Sequence, residues 1–461
     1  MIPERLQPIL DHVRPLADRF TAGGFTVYLV GGVVRDLVLG RVRAGGDLDL
    51  TTDARPEQTF ALLADWADSV WTQGQAFGTI GARKGETIFE ITTHRAEAYR
   101  EDSRKPHVVY ADDVADDLAR RDFTVNAMAL RLPDVELIDP FGGVSDLGSG
   151  VLRTPLAPEV SFSDDPLRML RAARFITGFG LTPDAALVDA VRDLRARLEI
   201  VSAERIRDEL SKLLVVDDPS AGLWFLADTG LADEFLPELR AMRLEQDPIH
   251  RHKDVLAHTI AVVAKTSPRL VVRLAALLHD VGKPKTRSIG PKGVSFHHHE
   301  VVGARMARDR LRALRFSNDV VDDVQRLVFL HLRFHGYRDE VWSDAAVRRY
   351  ARDAGPLLDD LNELTRCDCT TRNERKARVL AERMDALEAR IAELREREEL
   401  GAIRPDIDGN RVMELLGVGP GRQVGEALSM LLEARLDEGP LGEEEAERRL
   451  LAWWSERQAP T

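Results

Sequence analysis

LVGGVVRDLVLGRVRAGGDLDLTT, residues Leu29 to Thr52, is the stretch that decides the fold. The apolar run Val27, Tyr28, Leu29 and Val30 ends like a buried strand, Gly31 and Gly32 follow it, and VVRDLVLG then reads as an amphipathic helix. A strand that feeds a helix through glycines exposes unpaired N–H groups with no Cβ in the way, which suits a phosphate. Some residues later comes Asp47-Leu48-Asp49-Leu50. Side chains alternate along a strand, so both carboxylates point one way and both leucines into a core. Two acids fixed side by side repel each other, and a divalent cation is the usual reason to tolerate this. Each feature alone is more often a plain turn or a surface acid pair; it is their order along the chain that carries meaning.

With Arg35 and Asp36 on the intervening helix, the stretch resembles the signature of polymerase-β-type nucleotidyltransferases, and more narrowly that of the class II tRNA nucleotidyltransferase and bacterial poly(A) polymerase family. The resemblance continues downstream. Arg120-Arg121-Asp122-Phe123-Thr124-Val125-Asn126-Ala127 resembles the RRDFTxNA motif, with Phe123, Ala127 and Leu130 read as one apolar helical face that leaves Arg121 to a triphosphate. Asp139-Pro140-Phe141-Gly142-Gly143 resembles a third motif and reads best as a turn. Asp164-Asp165-Pro166-Leu167-Arg168 resembles the EDxxR motif, with Asp164 where the family has Glu. Asp165 and Arg168 then lie on one helical face, and Arg171 and Arg174 extend the ridge in steps of three. The helix Ser202 to Leu214, with an Arg205/Glu209 pair, resembles the family's bracing element and reads as structural.

Base chemistry gives the Asp165/Arg168 pattern a meaning. Cytosine and adenine each show an amino donor beside a ring-nitrogen acceptor, whereas uracil and guanine show a carbonyl beside an N–H. A carboxylate that accepts and a guanidinium that donates fit the first two and mismatch the others.

Between these motifs, FGTIGARKGETIFEITTHR reads as a hairpin, and Glu90, on a strand taken as antiparallel to the acid-bearing one, is a candidate third carboxylate. The polar run with Arg100, Asp102 and Arg104 reads as a mobile loop, similar to the flexible element that full CCA-adding members use when switching from C to A.

A second constellation follows: His258, the dipeptide His279-Asp280, His299 and Asp368, with His331 or His298 as substitutes for His299. Imidazoles and carboxylates gathered from separate helices can hold a divalent transition metal and lower a bound water's pKa. The set resembles the HD phosphohydrolase superfamily; retained phosphoesterase activity and a purely structural role both stay open. Farther on, Leu380, Met384, Leu387, Ile391 and Leu394 repeat at heptad spacing within a long helix, and a glycine-rich turn at 417–421 precedes another.

The 461 residues, 44% of them hydrophobic, are ample for several packed domains. A net charge of −13 argues against nonspecific coating of nucleic acid, although Pro166 to Lys212 holds nine Lys and Arg against seven Asp and Glu, which leaves room for a local basic groove. No apolar run is long enough for a bilayer, the first residues alternate charge with apolar character unlike a secretion signal, and two cysteines, Cys367 and Cys369, fit a reducing compartment. A cytoplasmic protein with no membrane partner is therefore expected.

The fold implied is α+β: a nucleotidyltransferase head with a mixed β-sheet (residues 1–152), an all-α neck (153–245), an HD domain (246–370) and a helical tail (371–461). The resemblance implies CMP and AMP addition to the 3′ end of tRNA from CTP and ATP, with Asp47, Asp49 and Glu90 catalytic and two Mg²⁺ ions roughly 4 Å apart on the aspartates. Gly31, Gly32, Arg35 and Arg121 would grip the triphosphate, Asp165 and Arg168 read the base, and Arg171 and Arg174 support phosphates. Poly(A) addition and CC-only or A-only addition share these motifs. An HD phosphohydrolase with a degenerate head is disfavoured because the head keeps its acids and glycines. Sequence gives no view of oligomeric state.

Overall fold

The computed structural model describes residues 7–41, 47–98, 107–244, 254–290, 293–336, 342–369, 374–398 and 403–458. Two compact units emerge, one formed by residues 1–213 and 221–235, the other by 214–220 and 236–461.

The first unit is built on a seven-stranded mixed sheet. Its strands are β1 (Val27–Val30), β2 (Asp47–Thr52), β3 (Ser69–Trp71), β4 (Thr79–Lys84), β5 (Thr87–Thr93), β8 (Ala129–Leu132) and β9 (Glu136–Ile138), while β6 (Arg95–Ala98) and β7 (His107–Tyr110) make a separate hairpin. The spatial order is β3-β4-β5-β2-β1-β8-β9, which puts β1 and β2 near the middle. Every residue of β1 is buried, as a central strand covered on both faces requires. β2 alternates instead: Leu48 and Leu50 enter the core with Leu29, Phe89 and Ile91, while Asp47 and Asp49 share the outer face.

The strand carrying Glu90 runs parallel to β2, not antiparallel, with Asp49 in register with Glu90. The cause is the connection: α3 (Pro56–Leu63), started by proline at its first position, carries the chain across the sheet, and the β4–β5 hairpin restores the direction of β2.

Helices α1 (Gln7–Ala22) and α2 (Gly32–Val38) precede α3, and α4 (Val114–Ala119), α5 (Gly143–Ser149), α6 (Pro158–Asp164), α7 (Leu167–Phe179), α8 (Ala185–Leu194), α9 (Ala203–Leu214) and α10 (Ser220–Thr229) follow it. The RRDFT segment is not helical as the apolar spacing suggested. α4 stops at Ala119, Thr124–Asn126 is a single 3₁₀ turn, and β8 takes up Leu130. Local side-chain bonding competes with the helix here: Thr124 donates to Asp146 at 2.7 Å, and Asn126 to Asp122 at 3.0 Å.

The second unit is almost wholly helical: α11 (Glu238–Ala241), α12 (Val255–Lys265), α13 (Leu270–Leu278), α14 (Lys283–Thr286), α15 (His299–Ala313), α16 (Asn318–Leu330), α17 (Asp344–Ala354) and α18 (Leu358–Asp368), then α19 (Glu374–Arg397), α20 (Gly409–Leu416), α21 (Arg422–Glu438) and α22 (Glu443–Gln458). Of the heptad residues on α19, Met384, Leu387, Ile391 and Leu394 are buried and Leu380 is half-buried. Arg273 on α13 is fully buried and donates from Nη1 and Nη2 to the carbonyls of Leu214, Val216, Asp217 and Thr266 and from Nε to those of Thr266 and Ser267, so all five of its N–H groups are spent on backbone oxygens. No described helix is long and apolar enough to cross a membrane.

Candidate functional site

The β1–α2 turn is the first part of the site. Gly31 has φ 73° and ψ −139°, a conformation that L side chains adopt only at a cost of about 1–3 kcal/mol. A Cβ there would lie 2.9 Å from Arg121 Nη1 and 3.7 Å from Asp49 Oδ2. Absence of a side chain at Gly31 therefore lets the RRDFT guanidinium approach the acid strand. Gly31→Ala is expected to strain the turn and push Arg121 aside, raising KM for nucleotide as well as lowering the melting temperature; steady-state kinetics beside a thermal melt check this, and a lowered melting temperature with KM unchanged would contradict it.

Asp49 and Glu90 are both held above the ordinary carboxylate range. Burial is the larger cause for each; Asp47 adds repulsion at Asp49, which Arg121 partly offsets, and Asp49 and Asp47 add it at Glu90. Three acids with one nearby guanidinium leave net negative charge facing outward, which suits a divalent cation. Arg121 has spare capacity: its Nε is buried without a hydrogen-bond partner among the described residues, and Nη2 lies 3.4 Å from Asp117. Burial pushes Asp117 up, but Arg120 and Arg121 outweigh it and hold the carboxyl below its usual range.

The segment 120–126 is the hub of the site. The Arg120 carbonyl accepts from Arg168 Nη2. Asp122, itself buried, accepts from Arg171 Nε at 2.9 Å, from Asn126 at 3.0 Å and from the Phe123 amide at 2.9 Å. Asn126 in turn accepts from Arg35 Nη1 at 2.8 Å. One short stretch thus ties α2 and α7 together and sets Arg121 beside the glycine turn.

Several side chains sit otherwise than their spacing implied. Asp165 is not on a helix with Arg168; it has φ −138° and ψ 99° between α6 and α7, because Pro166 excludes the helical region for the residue before it. Its carboxylate accepts from the Leu167 amide at 3.1 Å and from Arg205 Nη2 at 2.8 Å, while Arg168 Nη1 donates to Ser161 Oγ at 2.9 Å. Arg205 therefore pairs with Asp165 and not with Glu209. Buried Glu209 takes Arg174 at 2.8 Å and Arg171 at 3.6 Å, so the two arginines of the ridge turn toward buried carboxylates. Arg35 is likewise engaged: it is buried, bonds Asp36 at 2.9 Å, and stacks 4.0 Å from the Phe179 ring. Gly32 lies beside it, its Cβ position 3.4 Å from Arg35 Nη2. The DPFGG motif is the turn it was read as, Asp139 accepting from the Gly143 and Val144 amides at 2.7 and 3.0 Å. Arg100, Asp102 and Arg104 lie outside the described residues.

Sequence reading missed Asp122, Asn126, Ser161 and Glu209 as the polar frame, since only the fold shows which charges they meet. Burial raises Asp122, but Arg171, Asn126 and the Phe123 amide win and hold it below its usual range. A depressed carboxylate contributes stability above its unfolded pKa and loses it as pH falls through the folded value. Asp122→Ala is expected to cost about 2–4 kcal/mol at pH 7, discounted for the partly exposed Arg171, and the melting gap to the parent should close below about pH 4.

In the second unit, helix ends converge. His258 lies on α12, His279 and Asp280 just beyond α13, His299 at the start of α15, His331 just beyond α16, and Asp368 at the end of α18. His258 Nε2 is 2.8 Å from Asp368 and 3.5 Å from Asp280; His279 Nε2 is 3.1 Å from Asp280. His331 joins the cluster in addition to His299, and His298 is exposed. Burial pushes His279 down, but Asp280 and Asp368 raise it to about 10. Gly282 makes the approach of α15 possible, for a Cβ there would stand 2.2 Å from the His299 carbonyl. Among the described residues, trios of ligand atoms within 4.8 Å of one another form here, as His258/His279/Asp280 and Asp280/His299/His331.

Three family models match the chain: a poly A polymerase head domain over residues 27–153, a probable RNA and SrmB-binding site of polymerase A over 180–242, and an HD domain over 255–394. The A-adding tRNA nucleotidyltransferase of Deinococcus radiodurans is 35% identical over 93% of this chain and 95% of its own length. A CCA-adding enzyme of Lactobacillus helveticus is 35% identical over 50% of this chain and 56% of its own length. The crystal structure of the Bacillus stearothermophilus CCA-adding enzyme in complex with CTP superposes over 99% of each chain with a TM-score of 0.71 at 24% identity, a likeness of fold. Relatedness at 35% identity to a tRNA nucleotidyltransferase over nearly its full length, with a poly A polymerase head and an HD domain matched on the same chain, places this chain in the family of tRNA nucleotidyltransferases and poly(A) polymerases that carry an HD domain.

Proposed function

We propose that the chain adds CMP and AMP to the 3′ end of tRNA without a nucleic-acid template, releasing pyrophosphate. The observation that carries the reading is that the segment 120–126 sets Arg121 beside the Gly31 turn and within electrostatic reach of Asp49, accepts from Arg168 at the Arg120 carbonyl, and holds Arg171 of α7 at Asp122. Asp47 and Asp49 are the residues that would hold Mg²⁺, with Glu90 alongside; the ions, when bound, supply Lewis-acid activation of the attacking 3′-hydroxyl and charge stabilisation at the phosphates. Arg121, with its unpartnered Nε, faces the triphosphate, and Gly31 and Gly32 keep that approach open. Asp165 accepts from the base amino group, and Arg168 donates to the ring nitrogen. Arg35, Arg171 and Arg174 act from behind as cross-braces that hold the hub and α7, and reach phosphates only by exchanging their carboxylate partners. The four segments 1–152, 153–245, 246–370 and 371–461 remain our functional division of the chain into head, neck, HD domain and tail, and the site of action is the cytoplasm.

A second reading, addition of the terminal A alone to tRNA already ending in CC, is favoured by one finding: the relative matched over nearly its whole length is named A-adding, whereas the CCA-adding relative is matched over about half of its own. Two tRNA substrates separate them. Full CCA addition extends a stub lacking all three residues when CTP and ATP are present; A-only addition extends only the stub ending in CC. A long A tract would indicate poly(A) synthesis, and no product from either stub would reject all three.

A further inference from the structure

We propose that Asp117 is a positioning residue for nucleotide addition: it turns Arg121 toward the triphosphate and steadies the Arg120 carbonyl to which Arg168 donates. This role rests on the nucleotide addition proposed above and adds to it a residue with no surface of its own in the cleft. Asp117 lies on α4 with its side chain wholly buried. Its two oxygens are divided between consecutive arginines: Oδ1 accepts from Arg120 Nε at 3.1 Å and from Nη2 at 2.9 Å, while Oδ2 is 3.4 Å from Arg121 Nη2. One carboxylate therefore sets the direction of two guanidinium groups.

Stability alone does not account for a charge in this place. Val114 and Leu118 of the same helix join an apolar cluster with Tyr28, Val30, Ala127 and Ala129, and exchanging a buried ion pair for well-packed apolar residues is often neutral or stabilising. What the carboxylate orients is the better reason to keep it. Arg121 has a competing partner in Asp49, whose carboxyl already feels its charge; the position of a Gly31 Cβ lies 2.9 Å from Arg121 Nη1 and 3.7 Å from Asp49 Oδ2. Without Asp117 Oδ2 the guanidinium is drawn to the acid strand and lost to the triphosphate. The negative charge of Asp117 itself opposes phosphate little, because Arg120 offsets it through two charge-assisted hydrogen bonds. The second effect runs through the backbone. The Arg120 carbonyl accepts from Arg168 Nη2, and Ser161 Oγ accepts from Arg168 Nη1 at 2.9 Å, so these two acceptors set the plane of the base-reading guanidinium. A slack residue 120 leaves one side of that plane unheld.

The test compares the full chain with its Asp117→Asn, Arg120→Gln and Arg168→Ala variants in single-nucleotide addition to whichever tRNA stub the parent extends. Asp117→Asn keeps the size of the side chain and should raise KM for the incorporated nucleotide about 10-fold while kcat changes less than about 3-fold. Preference for C or A over U and G should fall by about 5-fold or more. A merely structural role acts differently: it lowers the amount of folded enzyme, scales every rate alike, and leaves KM and preference where they were. Either quantity unchanged in Asp117→Asn would therefore overturn the proposal. Arg120→Gln alters a partly exposed side chain and should lower the preference in the same sense; it decides the matter if Asp117→Asn does not fold, and an unchanged preference there overturns the proposal too. Arg168→Ala separates the two levels of the account. A preference that falls in Arg168→Ala but not in Asp117→Asn rejects the positioning role alone, whereas one that Arg168→Ala leaves intact rejects the base-reading role and the positioning role with it.

Discussion

Replacing Asp49 by asparagine is expected to slow nucleotide addition to tRNA by on the order of 10³-fold or more, about 4 kcal/mol of transition-state stabilisation. Folding should move the opposite way. Burial, then Asp47, holds the Asp49 carboxyl above its ordinary range, so the folded chain carries a penalty that the unfolded chain lacks. For an acid with a raised folded pKa the penalty is complete above that pKa and absent below the unfolded value. The substitution should therefore raise the melting temperature of the metal-free chain by roughly 1–4 °C at pH 7, with the gain shrinking as pH falls toward about 4 and gone below it. Mg²⁺ should stabilise the parent and leave the variant unmoved. Lost activity with lowered stability would instead mark Asp49 as a structural residue.

Asp165→Ala is expected to relax base choice more than it weakens binding. The Leu167 amide and Arg205 already fix the plane of the carboxylate, and among the described residues these leave about two of its roughly four lone-pair sites for the amino group of C or A. Loss of one such two-point contact is worth about 1–3 kcal/mol, or roughly 5- to 150-fold in selection of C and A over U and G. Single-nucleotide incorporation from each of CTP, ATP, UTP and GTP reads this ratio. An equal loss for all four, with the ratio unchanged, would show that Asp165 holds the loop and does not read the base.

Much of this site was legible in the chain because its signals are local. Alternation in DLDL fixes which face the acids share, Gly31 follows a buried strand, and His279-Asp280 ends an apolar helix; each of these is set by residues a few positions apart. The exceptions are long-range, or hinge on one residue whose effect the pattern concealed. Pro166 breaks the helix that the Asp165/Arg168 spacing suggests. Arg205 pairs 40 residues away with Asp165 rather than four away with Glu209, because Glu209 is buried facing Arg174. β5 is parallel to β2 because of what α3 does between them, which no alternation in either strand reveals. The RRDFT stretch reads as a helix from its apolar residues, yet its polar ones decide its shape by bonding to one another and to α7.

On the proposed reading, one cleft of the first unit binds the reacting phosphates at Asp47 and Asp49 and the base at Asp165 and Arg168. A crystal structure of the full chain with a tRNA stub and an unreactive nucleoside triphosphate analogue tests it most directly. The triphosphate is expected between the Asp47/Asp49 face and Arg121, with the base amino group within hydrogen-bond distance of the Asp165 carboxylate. A triphosphate bound away from the aspartates, or a base that meets neither Asp165 nor Arg168, would contradict it.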